Sequence, residues 1–196
     1  YGLNYKLNRL NDAANPSVGY LLNLKGTAGQ KKIMKNPVLA DSLYDDILLS
    51  SMQIKIDGIL DKYWPLYKFL ILRTQFSGGF INGNNLFPGD LYRIGGLKSL
   101  RGFTEKSIFA SSFGLMNLEL RAYLSSDTYF MIFFDQSYIK GTESEHKAQY
   151  PFGTGMGLSF NTNSGIFNFA LALGKSENQP LAFNYAKIHF GYVARF

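Results

Sequence analysis

Apolar and polar side chains alternate from residue 186 to the end of the chain. Ile188, Phe190 and Tyr192 share one face of this segment, whereas Lys187 and His189 lie on the other. A period of two is that of a β-strand, because successive side chains of a strand point to opposite sides of the sheet. This segment is therefore predicted to be a strand with one apolar and one polar face.

The same alternation recurs along the whole chain. Repeated strands with an apolar outer face and a polar second face are typical of a transmembrane β-barrel, whose polar face lines the lumen. A soluble β-sandwich shows the same alternation, so the pattern alone leaves both folds open. The strands that it predicts are residues 2–10, 17–29, 47–60, 66–78, 112–124, 128–139, 152–161, 165–174 and 186–196.

Neighbouring residues of one predicted strand illustrate the two faces. Leu171 belongs to the apolar set and Ala172 to the other face, together with the glycines of the preceding strand. We expect lipid on the apolar side and the lumen on the other. An arginine is therefore expected to be tolerated far better at Ala172 than at Leu171.

The lengths of the connections favour the barrel. Short links alternate with long ones, as the turns and loops on the two rims of an outer-membrane barrel do. If the C-terminus is periplasmic, every short link lies on the periplasmic side, and the predicted turn at 61–65 brings Tyr63 and Trp64 to the membrane interface. The short links are 11–16, 61–65, 125–127 and 162–164, and the long ones are 30–46, 79–111, 140–151 and 175–185.

Composition excludes several other classes of protein. With 46% hydrophobic and 17% charged residues the chain is too apolar for disorder. It contains no apolar run near the ~18 residues that a spanning helix needs, so any membrane span is a strand. The formal net charge is +6, but the basic residues are scattered rather than clustered, which argues against nucleic acid as a partner. The absence of cysteine suits a bacterial outer-membrane protein.

No enzymatic motif is present in the sequence. It contains neither a G-x-S-x-G elbow nor a Walker A or H-E-x-x-H motif. The two histidines, His146 and His189, fall on opposite rims and cannot share a metal ion. We therefore expect no catalytic residues, no metal site and no cofactor.

The longest connection carries the most specific motif of the chain. Gly95-Gly96 is followed by Leu100, Arg101, Gly102 and Phe103. This run resembles the loop motif, an aliphatic residue followed by Arg-Gly and an aromatic residue, of the outer-membrane insertase and translocase superfamily of bacterial surface antigens. That superfamily includes BamA, TamA and the two-partner-secretion transporters. Four strands follow the strand at 112–124, so the loop has the same place as in the family.

Three further segments share the resemblance. Residues 117–120 are similar to the acidic strand that follows the loop in the family, and 133–136 to its aromatic-Asp strand. The end of the chain resembles the family's assembly signal, with matching residues His189, Gly191, Ala194 and Phe196.

The resemblance implies a fold, a function and a set of partners. The fold is an all-β antiparallel transmembrane barrel, of which 1–196 supplies the C-terminal eight to nine strands of about sixteen. A long lumen-directed loop at 79–111, and upstream strands with periplasmic POTRA domains, are further expectations. The function is assembly of outer-membrane proteins or translocation of a polypeptide. The partners are outer-membrane lipid and lipopolysaccharide, a client polypeptide or unfolded outer-membrane protein, and periplasmic accessory proteins.

Two other readings of the chain remain open from the sequence. It could be the barrel of an outer-membrane patatin-like lipase whose hydrolase domain lies upstream, or a small structural or adhesive barrel of eight strands. The second requires that the first segment is not a strand.

Strand pairing predicts where the loop arginine binds. Pairing 112–124 with 128–139 about their short turn puts Asn117 opposite Asp135 and Glu119 opposite Phe133. Glu119 and Asp135 are then diagonal neighbours, about 7–8 Å apart, on one face. The planar guanidinium of Arg101 can bond both carboxylates, which gives a lumen clamp. Alternatively, Arg121 neutralises Glu119 and leaves Arg101 in solvent.

Overall fold

The computed structural model describes most of the chain. No helix in the part that it describes is long and apolar enough to cross a membrane. The described residues are 1–12, 15–38, 40, 42, 45, 48–125, 127–141, 147–162 and 165–194.

In the described residues the fold is all-β, and a short 3-10 helix lies at Phe183–Tyr185. Nine strands form one antiparallel sheet, in which strands that follow one another pair directly, and β5 and β6 form a separate hairpin between β4 and β7. The strands are β1 (Gly2–Asn8), β2 (Gly19–Lys32), β3 (Ser50–Tyr67), β4 (Leu70–Gly83), β5 (Tyr92–Ile94), β6 (Ile108–Ala110), β7 (Ser112–Ser125), β8 (Thr128–Lys140), β9 (Phe152–Thr162), β10 (Gly165–Lys175) and β11 (Lys187–Ala194).

The nine strands predicted for the sheet are confirmed, including the first. Because β1 pairs with β2, the closed eight-stranded alternative does not form from this chain. In the described residues β1 and β11 lie at the two ends of the strand order, so the sheet is open at both. The predicted register of β7 and β8 is also confirmed, with Asn117 opposite Asp135 and Glu119 opposite Phe133.

The predicted turn at 61–65 is wrong. β3 continues to Tyr67, and its turn to β4 lies at 68–69. Pairing with β2 ends at Tyr63, and the pairing with β4 shifts register between Pro65 and Tyr67. Pro65 is tolerated because the ladder around it is one-sided and irregular. Tyr63 is buried on the inner face, whereas Trp64 is exposed on the outer one.

The long loop begins later than the sequence predicts. The sequence pattern predicts that the loop begins at Gly79, but β4 extends to Gly83, which pairs with Gln53 of β3. Since β3 and β7 flank Gly78 and Gly79 on both sides, the backbone bonds of these glycines outweigh their weak strand propensity. The loop therefore spans 84–111 and contains the β5–β6 hairpin.

The two faces of the sheet differ as the alternation predicts. The outer face exposes large apolar side chains such as Met156, Leu171 and Phe190. The inner face carries the polar set, and the long loop lies against it. The core of the protein is therefore on the inner side, where loop and wall meet; its main cluster is Ile94, Leu100, Phe103, Ala110, Leu115 and Ile139.

The expected tolerance of arginine at Ala172 is wrong. Ala172 does lie on the inner face, but its exposed fraction is 0%. It packs in a second apolar cluster with Met131 and Phe133, and with Ala170 of its own strand. The alternation assigns a residue to a face, but it does not show that a loop covers that part of the face.

Candidate functional site

The candidate site is formed where the loop touches the wall at Arg101 and Gly102. A Cβ atom on Gly153 of β9 would lie 1.9 Å from the Arg101 carbonyl oxygen. Gly102 has a φ of +89°, and a Cβ there would lie 2.5 Å from the backbone nitrogen of Gly174 in β10. Glycine on both sides of this contact therefore lets the loop backbone lie directly on the wall.

Two consecutive glycines shape the loop before the contact. Gly95 and Gly96 have φ values of +117° and +95°, which favour glycine. The Ser99 hydroxyl accepts a hydrogen bond from the Gly95 N–H at 2.9 Å and donates one to the Gly95 carbonyl at 3.0 Å. The resulting compact turn leads Leu100 into the apolar core, with an exposed fraction of 0%, and Arg101 onto the wall.

Arg101 bonds both predicted carboxylates. Its Nε and Nη2 atoms donate to the two oxygens of Asp135 at 2.7 and 2.5 Å, and its backbone N–H also donates to Asp135 at 3.1 Å. Its Nη1 atom donates to Glu119 Oε1 at 2.8 Å. The guanidinium carbon lies 3.7 Å from the centre of the Phe133 ring. All three charged side chains are buried; we call Arg101, Glu119 and Asp135 the arginine clamp.

Arg121 pairs with Glu119 as well, so the two alternatives from the sequence occur together. Arg121 Nε and Nη2 donate to Glu119 Oε2 at 2.9 and 2.6 Å, which leaves Oε1 for Arg101. A carboxylate accepts up to four hydrogen bonds, and Glu119 can therefore serve several guanidinium groups at once. Neutralisation by Arg121 does not release Arg101 into solvent.

The charge network extends further than the clamp. Arg73 of β4 donates to Glu119 Oε1 at 3.0 Å and to Asp61 of β3 at 2.8 and 2.9 Å. The Tyr63 hydroxyl donates to the same Asp61 carboxylate at 3.3 Å. Three arginines thus meet three carboxylates, and formal charges cancel within the network. A buried charge is tolerated under these conditions, because each is paired and hydrogen-bonded.

The loop tip at Gly102 is also held by β11 and by the connection between β10 and β11. The Gly102 N–H donates to His189 Nε2 of β11 at 3.1 Å. The amide of Gln179 donates to the carbonyls of Gly102 and Gly174 at 3.2 and 2.9 Å. The backbone of the loop is therefore bonded on both sides of the Gly102 peptide.

A second contact holds the start of the loop. Lys31, near the end of β2, forms an ion pair with Asp90 and lies 4.2 Å from the centre of the Phe87 ring. Burial acts to raise the pKa of Asp90, but hydrogen bonds from Lys31 and from the Phe87 N–H outweigh it and lower the pKa below its ordinary value. The loop is thus attached near both its beginning and its tip.

Comparisons with known proteins identify the family. A model described as the Omp85 superfamily domain matches residues 1–196. The chain belongs to the Omp85 superfamily. Among solved structures, the chain is similar to BamA from Haemophilus ducreyi lacking POTRA domains 1-3, with 15% sequence identity and a TM-score of 0.69. The alignment covers 97% of this chain and 41% of that chain. No curated protein matches the chain significantly.

Membership of the Omp85 superfamily gives the sheet its setting. The nine strands are part of an outer-membrane β-barrel of the insertase and translocase superfamily. In barrels of this kind an apolar outer face meets lipid and a polar inner face lines the lumen. The chain spans less than half the length of the BamA chain that it resembles.

The structure distributes the predicted site residues over two regions. Arg101 meets Glu119 and Asp135 at the arginine clamp. Leu100 and Phe103 pack in the apolar core, and Gly102 lies against Gly174 and His189. Among the residues of the predicted assembly signal, His189 and Gly191 face the loop, since a Cβ on Gly191 would lie 2.6 Å from the Leu97 side chain. Ala194 is exposed and pairs with Gly165. Phe196 lies outside the described residues.

The sequence pattern does not predict Asp61 and Arg73 as members of the network. Both are polar residues on the inner faces of adjacent strands, with Asp61 opposite Gln75 and Arg73 opposite Tyr63. Continuing the alternation of β3 beyond residue 60 would have brought them together. The presence of Pro65 ended the predicted strand too early and hid this signal.

Alanine at Gly102 is expected to destabilise the loop contact. The residue would have to keep a positive φ, which costs about 1–2 kcal/mol for an L-residue, and its Cβ would overlap backbone atoms of Gly174 that cannot move aside. Urea unfolding in lipid vesicles should show the loss. Gly89→Ala is the matched control, because nothing lies within 4 Å of that position. Equal stability of the two variants would contradict the contact.

Proposed function

We propose that the chain is the C-terminal barrel part of a protein that inserts outer-membrane proteins or passes a polypeptide across the outer membrane. The Omp85 match over residues 1–196 supports this proposal. The observation that carries it is the buried arginine clamp, which attaches a lumen loop to the wall through charge-assisted hydrogen bonds. No step of the proposed function makes or breaks a covalent bond.

In this proposal the loop residues 100–103 act through position rather than chemistry. Arg101 pairs with Glu119 and Asp135, and the loop then braces the wall between β7 and β10. In the described residues β1 and β11 are the edges of the sheet, and such edges can pair with other strands. A client strand can be recognised through backbone bonds at such an edge. The clamp keeps the rest of the barrel in one shape while this happens.

The domain organisation and the partners follow from the same proposal. Residues 1–196 form the C-terminal barrel domain, with the loop directed into the lumen, the C-terminus on the periplasmic side, and further strands and POTRA domains upstream. The outer face contacts lipid and lipopolysaccharide. A client polypeptide or unfolded outer-membrane protein enters from the periplasm, where accessory proteins deliver it.

Reconstitution tests the function directly. The full-length protein in lipid vesicles is expected to accelerate folding of an unfolded outer-membrane client, measured by heat-modifiable gel mobility, or to carry a secreted client into a protease-protected compartment. Empty vesicles give the uncatalysed rate. A protein that is correctly folded but does neither would contradict the proposal.

The upstream sequence tests the domain organisation. The reading frame that precedes Tyr1 is expected to encode further barrel strands and periplasmic POTRA domains. A hydrolase domain with a G-x-S-x-G motif would instead support the lipase alternative. Sequencing of the complete gene distinguishes the two outcomes.

Removal of Phe196 is expected to reduce insertion of the protein into the outer membrane without affecting its synthesis. The reason is that the terminal alternation ends on this aromatic residue, which we propose as the last element of the assembly signal. Membrane fractionation and immunoblotting measure the effect. The control is Phe196→Tyr, which keeps an aromatic side chain at this position. Unchanged membrane levels after deletion would exclude this role.

A further inference from the structure

Part of the lumen wall carries more positive than negative charge. Lys25 of β2, Lys55 of β3, and Arg93 and Lys98 of the loop line one cavity; we call these four residues the cationic patch. In the part of the chain that the structure describes, none of the four forms an ion pair within 4.0 Å. The arginine clamp, by contrast, lies in a network whose charges cancel.

The cavity of the cationic patch lies between the loop and the wall formed by β2, β3 and β4. Its volume is about 370 Å³. One carboxylate, that of Asp57, also lines it, opposite Lys25 in the pairing of β2 with β3. Four cations against one carboxylate leave an excess of three positive charges. Lys6 of β1 adds a further charge to the same face, because it pairs with Asn23 two residues before Lys25.

The rest of the lining combines apolar and aromatic side chains with the hydroxyl groups of Thr27, Ser77 and Ser99. Lys55 Nζ lies 4.2 Å from the centre of the Tyr92 ring, so an aromatic ring contacts this ammonium group. Ile59, Ile94 and Phe113 also line the cavity. A ligand that fits this lining needs both negative groups and apolar groups at short spacing.

We propose that the cationic patch is a docking surface for an acidic, extended segment of a polypeptide. The inference rests on the proposed function, which brings a polypeptide to this lumen. Lys25 and Lys55 are diagonal neighbours across β2 and β3, about 7–8 Å apart. Carboxylates two residues apart on an extended chain lie about 6–7 Å from each other, and they therefore match this spacing.

The position of the patch favours a polypeptide over a lipid headgroup. It is on the lumen face, and the apolar lipid face is on the other side of the same strands. Uncompensated charge of one sign in a cleft attracts the opposite charge and raises the rate of association. A polypeptide passing through the lumen meets this field, whereas the headgroups in the bilayer surround the outer surface.

Peptide binding to the full-length protein in lipid vesicles tests the proposal. The probes are three fluorescently labelled peptides in which tyrosine alternates with glutamate, glutamine or lysine. The glutamate peptide is expected to bind at least about tenfold more tightly than the other two. Its affinity should fall as salt rises from about 50 to about 500 mM, because partly exposed charges are screened.

A matched pair of triple variants locates the binding. Reversal of the patch by Lys25→Glu, Lys55→Glu and Lys98→Glu is expected to abolish the preference for the glutamate peptide. The control carries the same change of net charge at exposed positions outside the cavity, Lys68→Glu, Lys140→Glu and Lys175→Glu. If the reversed variant does not fold, the neutral set Lys25→Gln, Lys55→Gln and Lys98→Gln replaces it.

Each other outcome overturns the proposal. Equal binding of the three peptides would overturn the docking surface and leave the proposed function intact if client assembly persists. A preference that survives in the patch variant would place the acidic site elsewhere. Displacement of the peptide by millimolar inorganic phosphate would indicate an anion site rather than a polypeptide surface. Absence of all peptide binding together with absence of client assembly would refute the docking surface and the function together.

Discussion

Replacing Arg101 by alanine is expected to destabilise the protein by about 3–5 kcal/mol, because it leaves buried carboxylate charge without a partner. The loss falls mainly on Asp135. Among the described residues, Asp135 accepts hydrogen bonds from Arg101 alone, three in number. Glu119 keeps Arg73 and Arg121 after the change. Urea unfolding in lipid vesicles measures the free energy of unfolding.

A second substitution distinguishes this explanation from a general loss of packing. Adding Asp135→Asn to Arg101→Ala removes the unpaired charge, so part of the stability is expected to return. Adding Glu119→Gln to Arg101→Ala is expected to lower the stability further, because Arg73 and Arg121 then lose their common carboxylate. Opposite effects of the two double variants would be hard to obtain from a cavity alone.

Arg101→Lys should recover only part of the stability and of client assembly. The lysine ammonium keeps the charge but lacks the planar fork that bonds Asp135 through two nitrogens and Glu119 through a third. Arg9→Ala is the control, because Arg9 is exposed and lies outside both the loop and the cationic patch. Similar stability of Arg101→Ala and Arg9→Ala would refute the arginine clamp as a stabilising contact.

Period-two alternation was sufficient to predict the sheet. Each strand of the sheet has apolar residues on the lipid side. A shift of the pairing register by one residue would turn all of them to the lumen, and the face of each residue is therefore strongly specified. The short turn after β7 then determined the register, and the register placed Glu119 and Asp135 on the same face within reach of one guanidinium. The contacts of Arg101 were predictable for this reason.

Other features required three-dimensional information. The loop covers the inner face of β7 to β10, and that cover turns Ala172 from a lumen residue into a buried one. Alternation along a strand contains no signal for contact with a distant loop. Asp61 and Arg73 were missed for a local reason, since Pro65 suggested a turn where the chain forms an irregular continuation of β3. Proline indicates the absence of a backbone donor, and that is compatible with a one-sided ladder.

Because Ala172 is buried, the assignment of the two faces of the sheet is better tested at exposed residues. Leu60 and Ile59 are adjacent, both lie in β3, and their exposed fractions are similar at 40% and 38%. Leu60 belongs to the lipid face, where it pairs with Leu22 and Phe76, whereas Ile59 lines the lumen cavities. The pair therefore differs mainly in the medium that each side chain meets.

Leu60→Arg is expected to cost about 2–4 kcal/mol, as a charge does on the lipid face near the middle of the membrane, whereas Ile59→Arg should cost far less because water reaches the lumen. Unfolding in lipid vesicles gives both values, and heat-modifiable gel mobility shows whether each variant folds. Equal costs at the two positions would mean that β3 does not separate lipid from a watery lumen, and the assignment of faces would then be wrong.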